Sequence, residues 1–312
     1  MKATKIILVG AGAVGTSFLY SAINQGLAAK YGIIDKFEGP RDGNVLDLED
    51  AIVPSVKKYE VFAANYEDAK DADIVVVTAG RPQLPGETRL EMVKENSLIM
   101  KDIAQKIKAS GFKGITIIAS NPVDVLTYVY LKETGFDHKK VIGSGTILDT
   151  SRLKQLLSKK TGVSTNNIEA YVIGEHGDSS LVNYSTFKIA GLPFSKFEEK
   201  AKVNAENYEK ELEEPVYRKA YKIIERKRAT FYGIGACLAQ IVRTIQEDAN
   251  IILPLGVYLE NKYNVSDVVI GVPAVLGAKG IKEVIELELN EKEKSKFQNS
   301  VNIVKDTIKS VM

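Results

Sequence analysis

An α/β fold, a doubly wound parallel sheet followed by a second unit of α+β character, is what this sequence predicts. Three observations predict it. Short apolar runs alternate with helix-length segments up to about residue 143, the pattern of parallel strands joined by crossover helices. The first of these runs ends in a glycine turn that opens a helix. The 312 residues exceed the size at which one core stops growing, so two domains, or one with a large extension, are expected. The division is placed at 1–143 and 144–312.

The first strand is the apolar run from Lys5 to the turn Gly10-Ala11-Gly12-Ala13-Val14-Gly15, after which Phe18, Leu19, Ala22, Ile23 and Leu27 recur at helical spacing. The first glycine permits a tight turn, the second lets backbone amides approach a pyrophosphate, and the third lets helix pack on strand. Unpaired amides and the dipole at the helix start stabilise phosphate charge. A second run, Tyr31 to Ile34, ends in Asp35, twenty residues after Gly15. An acid there accepts hydrogen bonds from the adenosine ribose hydroxyls and repels a 2′-phosphate, so this is a Rossmann-type signature that favours NAD over NADP. The competing reading of Asp35 is a strand-ending aspartate in a turn.

Further strands are expected at Tyr59 to Ala63, at Ala72 to Thr78 and at Gly114 to Ala119, with helices at Gly43 to Ile52 and Leu90 to Ala109. The fourth strand leads into Thr78-Ala79-Gly80 and the fifth into Ser120-Asn121-Pro122. Ligands in such sheets lie beyond the carboxyl ends of the strands, so both ends should border the site. Arg81 to Arg89, with two prolines and a glycine, reads as a surface loop over these ends. Either it merely connects two elements or it closes on a substrate.

After a short run at Val141 to Gly145, Thr146 is expected to cap a helix carrying Asp149 and Arg152 on one face. They form either a surface ion pair or an inward-facing pair, the carboxylate toward a histidine and the guanidinium toward an anionic substrate. That histidine is expected in Tyr171-Val172-Ile173-Gly174-Glu175-His176-Gly177-Asp178, where an apolar run stops at one of only two histidines in the chain. Proton exchange near neutral pH makes His176 a candidate for proton chemistry, against the alternative of an ordinary hydrogen-bonded loop residue. His138 sits in a charged turn and is read as an exposed loop residue.

From Phe197 to Arg228 the chain reads as a long solvated helical region broken near Pro215, its charges without chemistry. Lys227 to Gly233 leads into an apolar helix through Gln246, strands return around Val268 to Val272 and Val284 to Leu289, and an amphipathic helix marked by Phe297, Val301, Val304 and Ile308 ends the chain.

With 42 basic and 40 acidic residues, the formal charge of +2 gives no reason to expect nucleic acid or an anionic membrane as partner. Cys237 is the only cysteine, which excludes an intrachain disulfide and a cysteine-built metal site. Lys2, Lys5 and the apolar run that follows imitate a secretory signal, but Gly10, Gly12 and Gly15 interrupt it. A cytoplasmic protein is expected.

Five separated segments, the Gly10 to Gly15 turn with Asp35, the Gln83 to Arg89 loop, Ser120-Asn121-Pro122, Leu148 to Arg152 and Gly174 to Asp178, closely resemble those of L-lactate dehydrogenases and, more broadly, the lactate/malate dehydrogenase superfamily. The resemblance runs along essentially the whole chain. It implies NAD-dependent reduction of pyruvate to L-lactate in fermentative glycolysis. His176 would give a proton to the carbonyl oxygen, and Asp149 would fix its tautomer and raise its pKa. Arg152 would bind the substrate carboxylate with two parallel hydrogen bonds. Arg89, carried inward by the loop, would polarise the carbonyl. Asn121, joined by a cis bond to Pro122, would hydrogen-bond near substrate and nicotinamide, and Thr230 would line the pocket. Gly10, Gly12, Ala13, Val14, Gly15, Asp35, Thr78, Ala79, Gly80, Ser120 and Asn121 would bind the cofactor.

Gln83 carries the choice of substrate. In malate dehydrogenases that resemble this loop, an arginine at this position pairs with the second carboxylate of oxaloacetate. A neutral Gln83 would leave that carboxylate unpaired in a closed pocket, which costs several kcal/mol. Arg81 could substitute only in a different loop register. The remaining alternatives are a malate or branched 2-hydroxy acid dehydrogenase and a non-catalytic NAD-binding sensor. Many bacterial relatives are activated by fructose 1,6-bisphosphate through a basic residue and a histidine, at positions held here by Lys154 and Glu169. Glu169 would repel the phosphate, so activation is expected to be weak or absent. The strand beginning at Lys5 leaves no room for the N-terminal arm of the animal enzymes, and a homotetramer is still what the resemblance implies.

Overall fold

A computed structural model describes residues 4–81 and 88–312, with Arg89 as backbone alone. The first half alternates strand and helix: β1 (Lys5–Val9), α1 (Ala13–Asn24), β2 (Lys30–Ile34), α2 (Glu38–Asp50), β3 (Glu60–Ala63), β4 (Ile74–Val77), α3 (Arg89–Ala109), β5 (Ile115–Ile118), α4 (Val123–Thr134) and β6 (Val141–Gly143). These strands pair in parallel in the order β3-β2-β1-β4-β5-β6. Every residue of β1, β4 and β5 is buried, which is why each reads as an unbroken apolar run rather than an alternating one.

Register places the site. Val9 stands opposite both Ile34 and Val77, Val77 opposite Ile118, and Ile118 opposite Gly143. The next residues, Gly10, Asp35, Thr78 and Ala119, therefore share one row at the carboxyl edge. Backbone bonds close that row: Gly10 N–H donates to the Ile34 carbonyl (2.8 Å), Thr78 to Val9 (2.9 Å) and Ala119 to Val77 (2.8 Å).

The second half begins with α5 (Ile147–Thr161) and continues through the short strands β7 (Ile168–Glu169), β8 (Val172–Ile173), β9 (Leu181–Val182), β10 (Lys188–Ile189) and β11 (Leu192–Pro193). Then come α6 (Glu198–Ala201), α7 (Glu214–Lys227), α8 (Tyr232–Gln246), β12 (Ile251–Leu259), β13 (Val268–Gly277), β14 (Gly280–Val284) and α9 (Glu291–Lys309). The long antiparallel strands β12, β13 and β14 extend the parallel sheet through a single pair, Gly143 with Gly256. Helix α5 lies between two cores. Ile147 belongs to the main one, whereas Leu153 and Leu157 join a smaller cluster with Ile168, Phe187, Phe194 and Leu212. Burial of each such leucine contributes about 1.5–3 kcal/mol, which fixes the helix that carries Asp149 and Arg152. Among the described residues no helix is long and apolar enough to cross a membrane.

Four expectations need correction. β14 covers Gly280–Val284 and not Val284 to Leu289, because Gly280, at φ +99°, closes a tight hairpin directly after Gly277. Leu287 and Leu289, beyond the strand, instead pack on the core, so their apolar signal reflects burial without pairing. β12 went unread, since Pro254 and Gly256 in its middle weaken a strand signal. Pro215 does not break a helix. It lies one residue into α7, directly after a π-helical turn at Glu209–Glu213, so the run stays helical across it with only its α-type bonding interrupted, and the break in the helical path falls where Lys202 ends α6 at φ 54°. Thr146 precedes α5 but makes no side-chain cap; its hydroxyl donates to the Val172 carbonyl at 2.6 Å and ties α5 to β8.

Candidate active site

The glycine turn follows β1 and packs against the end of β4. A Cβ on Gly10, at φ +101°, would lie 2.5 Å from the Ala79 nitrogen, and one on Gly15 would lie 2.2 Å from the Gly10 carbonyl oxygen. The fold itself demands both glycines. Gly12 differs, because nothing of the protein lies within 4 Å of a Cβ built there. It precedes α1 without a side-chain cap, so the first-turn amides, Ala13 and Val14 among them, have no intrahelical acceptor and border open space. That is the cradle a pyrophosphate requires.

Asp35 ends β2 beside the turn. Its Oδ2 accepts the Ala11 N–H at 2.7 Å and its Oδ1 the Phe37 N–H at 2.9 Å, which orients the carboxylate and leaves each oxygen a further lone pair for a ribose hydroxyl. Thr78 donates its hydroxyl to the Gly10 carbonyl at 2.6 Å, and Ser120 donates to the Ala79 carbonyl. Those two side chains hold the ends of β1, β4 and β5 together, so what they offer a cofactor is backbone. A Cβ built on Gly80 would meet Asn96 at an ordinary 3.5 Å. Buried Asn96 donates to the carbonyls of Arg81 (3.1 Å) and Asn121 (3.0 Å) and accepts the Arg81 N–H at 2.9 Å. It bridges the two strand ends that border the crevice. The Asn121–Pro122 bond is cis.

Across the crevice, β8 runs into the stretch that carries His176, whose amides are each pinned by a different element. Gly174 donates to the Gly271 carbonyl of β13 at 2.9 Å, Glu175 to the Ser300 hydroxyl of α9 at 2.7 Å, and His176 to Asp124 Oδ2 of α4 at 2.8 Å. The imidazole Nδ1 lies 2.6 Å from Asp149 Oδ2, and the other carboxylate oxygen lies 3.0 Å from Arg152 Nη1. One buried carboxylate thus joins the histidine to the arginine. Asp149 and Arg152 do not form a surface ion pair: both side chains are less than a tenth exposed, with the carboxylate toward His176, itself a quarter exposed.

The electrostatics follow from this contact. The Asp149 charge, reinforced by its hydrogen bond and by Asp124, outweighs burial and Arg152 and raises the His176 pKa to about 8. Burial opposes ionisation of Asp149, yet His176 and Arg152 hold it below the usual carboxylate range. Burial pushes Asp124 up to about 7.

Arg152 opens onto a cleft of about 400 Å³ lined also by Thr230, Leu148, Gln155, Lys219 and Tyr232. Thr230 and Arg152 thus share one cleft. Lys219 does not belong to a merely solvated face: burial first, and Arg152 next, lower the pKa of its amine. Gln83 and the Arg89 side chain lie outside the described residues. Lys154 lies 5.9 Å from the centre of the Tyr171 ring, its pKa lowered by burial against the opposing pull of Glu169. Sequence reading passed over Asn96, Asp124 and Ser300. Asp124 alone left a signal, a carboxylate in the first turn of a helix whose next seven residues are buried and mostly apolar.

A nucleotide cradle at a parallel sheet's carboxyl edge, facing a histidine poised on a buried carboxylate, defines a dinucleotide-dependent oxidoreductase. The chain belongs to the lactate/malate dehydrogenase family: residues 4–143 match its NAD binding domain and residues 146–312 its alpha/beta C-terminal domain. It is 54% identical to the L-lactate dehydrogenase of Mesomycoplasma hyopneumoniae (strain 232), across all of both chains. It is 50% identical to that of Mycoplasma capricolum subsp. capricolum, across 99% of this chain and 98% of the relative. Among solved structures, the ligand-bound minor L-lactate dehydrogenase of Enterococcus mundtii superposes with a TM-score of 0.96 at 37% identity, covering 100% of this chain and 99% of that one.

Proposed function

We propose that this protein catalyses the reversible, NAD-dependent reduction of pyruvate to L-lactate. The observation that carries the reading is the single buried carboxylate of Asp149 holding both the His176 imidazole and the Arg152 guanidinium. Bound NADH supplies the hydride to the carbonyl carbon. Arg152 anchors the substrate carboxylate with donors left over from its bond to Asp149, and Thr230 lines the pocket beside it. His176, with Nδ1 committed to Asp149, donates from Nε2 to the carbonyl oxygen as negative charge develops there, and recovers the proton in lactate oxidation. Asp149 stabilises the imidazolium before transfer and fixes the tautomer after it. Arg89 polarises the carbonyl when the loop closes, and neutral Gln83 favours a methyl over a second carboxylate.

The cofactor-binding set is the Gly10 to Gly15 turn with Asp35, the Thr78-Ala79-Gly80 and Ser120-Asn121 strand ends. The division falls near residue 143, a nucleotide-binding unit followed by a substrate-binding one. The protein works in the cytoplasm as a homotetramer, and Glu169 beside Lys154 makes activation by fructose 1,6-bisphosphate weak or absent. A non-catalytic NAD sensor would have no use for the intact His176–Asp149–Arg152 chain.

The test is chemical. Pyruvate with NADH should yield L-lactate stoichiometrically, and His176→Asn should abolish turnover while leaving NADH binding intact. Turnover that survives in His176→Asn would overturn the reading.

A further inference from the structure

Asp124 lies in the first turn of α4, 2% exposed. Its Oδ2 accepts the His176 backbone N–H at 2.8 Å, while its Oδ1 has no hydrogen-bond partner among the described residues and faces Gly256 of β12, 3.5 Å from a Cβ built there. A buried carboxylate with one unsatisfied oxygen is costly unless something compensates for it. The ionisable groups around it are His176 and Glu175 of the catalytic stretch and Asp149 of α5. Two of these are acids that oppose its ionisation, and His176 alone can favour it. The imidazole therefore feels two carboxylates, Asp149 bound to its ring and Asp124 through space, while Asp124 also holds the His176 backbone.

We propose that Asp124 is a positioning residue for the proton-transfer step, which sets the location of the His176 backbone and shares a titration with its imidazole. The nucleotide-binding half thereby reaches the catalytic stretch directly, since α4 begins immediately after the Asn121–Pro122 corner of the crevice. Protonating the imidazole favours the Asp124 anion, and that anion in turn holds the proton on the imidazole, so the two groups titrate as a pair. This inference rests on the reading of His176 as the proton donor.

The chain's two histidines make the test direct. Full-length protein labelled with ¹³C-histidine gives two titrating signals, assigned with His138→Asn. Asp124→Asn keeps an acceptor for the His176 N–H but cannot ionise. It should lower the His176 midpoint by about half to one pH unit and move the alkaline limb of pyruvate reduction by the same amount, with the acid plateau within about twofold of wild type. Asp124→Ala removes the acceptor too and should lower that plateau about fivefold or more. Midpoint and limb unchanged in Asp124→Asn, or a wild-type plateau in Asp124→Ala, would overturn the proposal. Should Asp124→Asn not fold, the wild type decides: two aspartate carboxyl carbons titrating with His176 above about pH 6, those of Asp149 and Asp124, support the pairing, and a single one overturns it. A wild-type rate with no limb at the His176 midpoint would sink the proton-donor reading itself, whatever the variants do.

Discussion

Replacing Asp149 by asparagine removes one charge from the middle of the relay and almost no volume. Its Oδ2 lies 2.6 Å from His176 Nδ1, which puts the two charge centres about 4 Å apart. At an effective dielectric constant near 20 their attraction is about 4 kcal/mol, equivalent to about three pH units on the imidazole. Arg152, which opposes protonation of His176, stays in place and loses its own partner. The midpoint should therefore fall from about 8 to about 5. At pH 7 the protonated fraction drops from about nine tenths to about one hundredth, so pyruvate reduction should slow about a hundredfold and recover as the pH approaches 5. Initial rates of NADH oxidation at saturating pyruvate from pH 5 to 9 read this out. A loss smaller than threefold at pH 7, or one that does not recover in acid, would refute the reasoning.

Stability should carry the same signature: the His176 pKa is raised on folding, so its contribution is full below the ordinary value of 6.5 and lost as pH rises through about 8, and urea unfolding of Asp149→Asn should show that window flattened. The glycines of the turn should separate by mechanism: Gly15→Ala, whose Cβ would meet the Gly10 carbonyl at 2.2 Å, should lower the melting temperature, whereas Gly12→Ala should melt like wild type and lose NADH affinity in a fluorescence titration. Arg152→Lys keeps the charge but not the fork, and kcat/KM for pyruvate should fall about ten- to a hundredfold. Gln83→Arg should raise the ratio of kcat/KM for oxaloacetate over pyruvate by about a hundredfold or more.

The nucleotide half was legible because its signals are local. Gly10 to Gly15 and the spacing to Asp35 each follow from a backbone conformation or a strand length, and the buried parallel strands announce themselves as apolar runs. The His176–Asp149–Arg152 cluster was legible for a different reason: Asp149 and Arg152 share a helical face, and a chain with two histidines offers few partners for them. Asn96 and Ser300 were not legible, and Asp124 showed only as a carboxylate opening a buried helix, because each acts on backbone groups distant in sequence, contacts that leave no periodicity. β12 was hidden by Pro254 and Gly256, whose local preferences are overridden by pairing along the whole length of β13. The charges of α7 read as solvated because helical spacing does not tell that one turn, at Lys219, lines the cleft beside Arg152.

The most direct test of the central claim is NADH oxidation with pyruvate, oxaloacetate and 2-ketoisocaproate side by side, reported as kcat/KM for each. A clear preference for pyruvate is the expected result. A preference for oxaloacetate would contradict the account, for it would mean that a cation elsewhere in the loop pairs with the second carboxylate despite neutral Gln83.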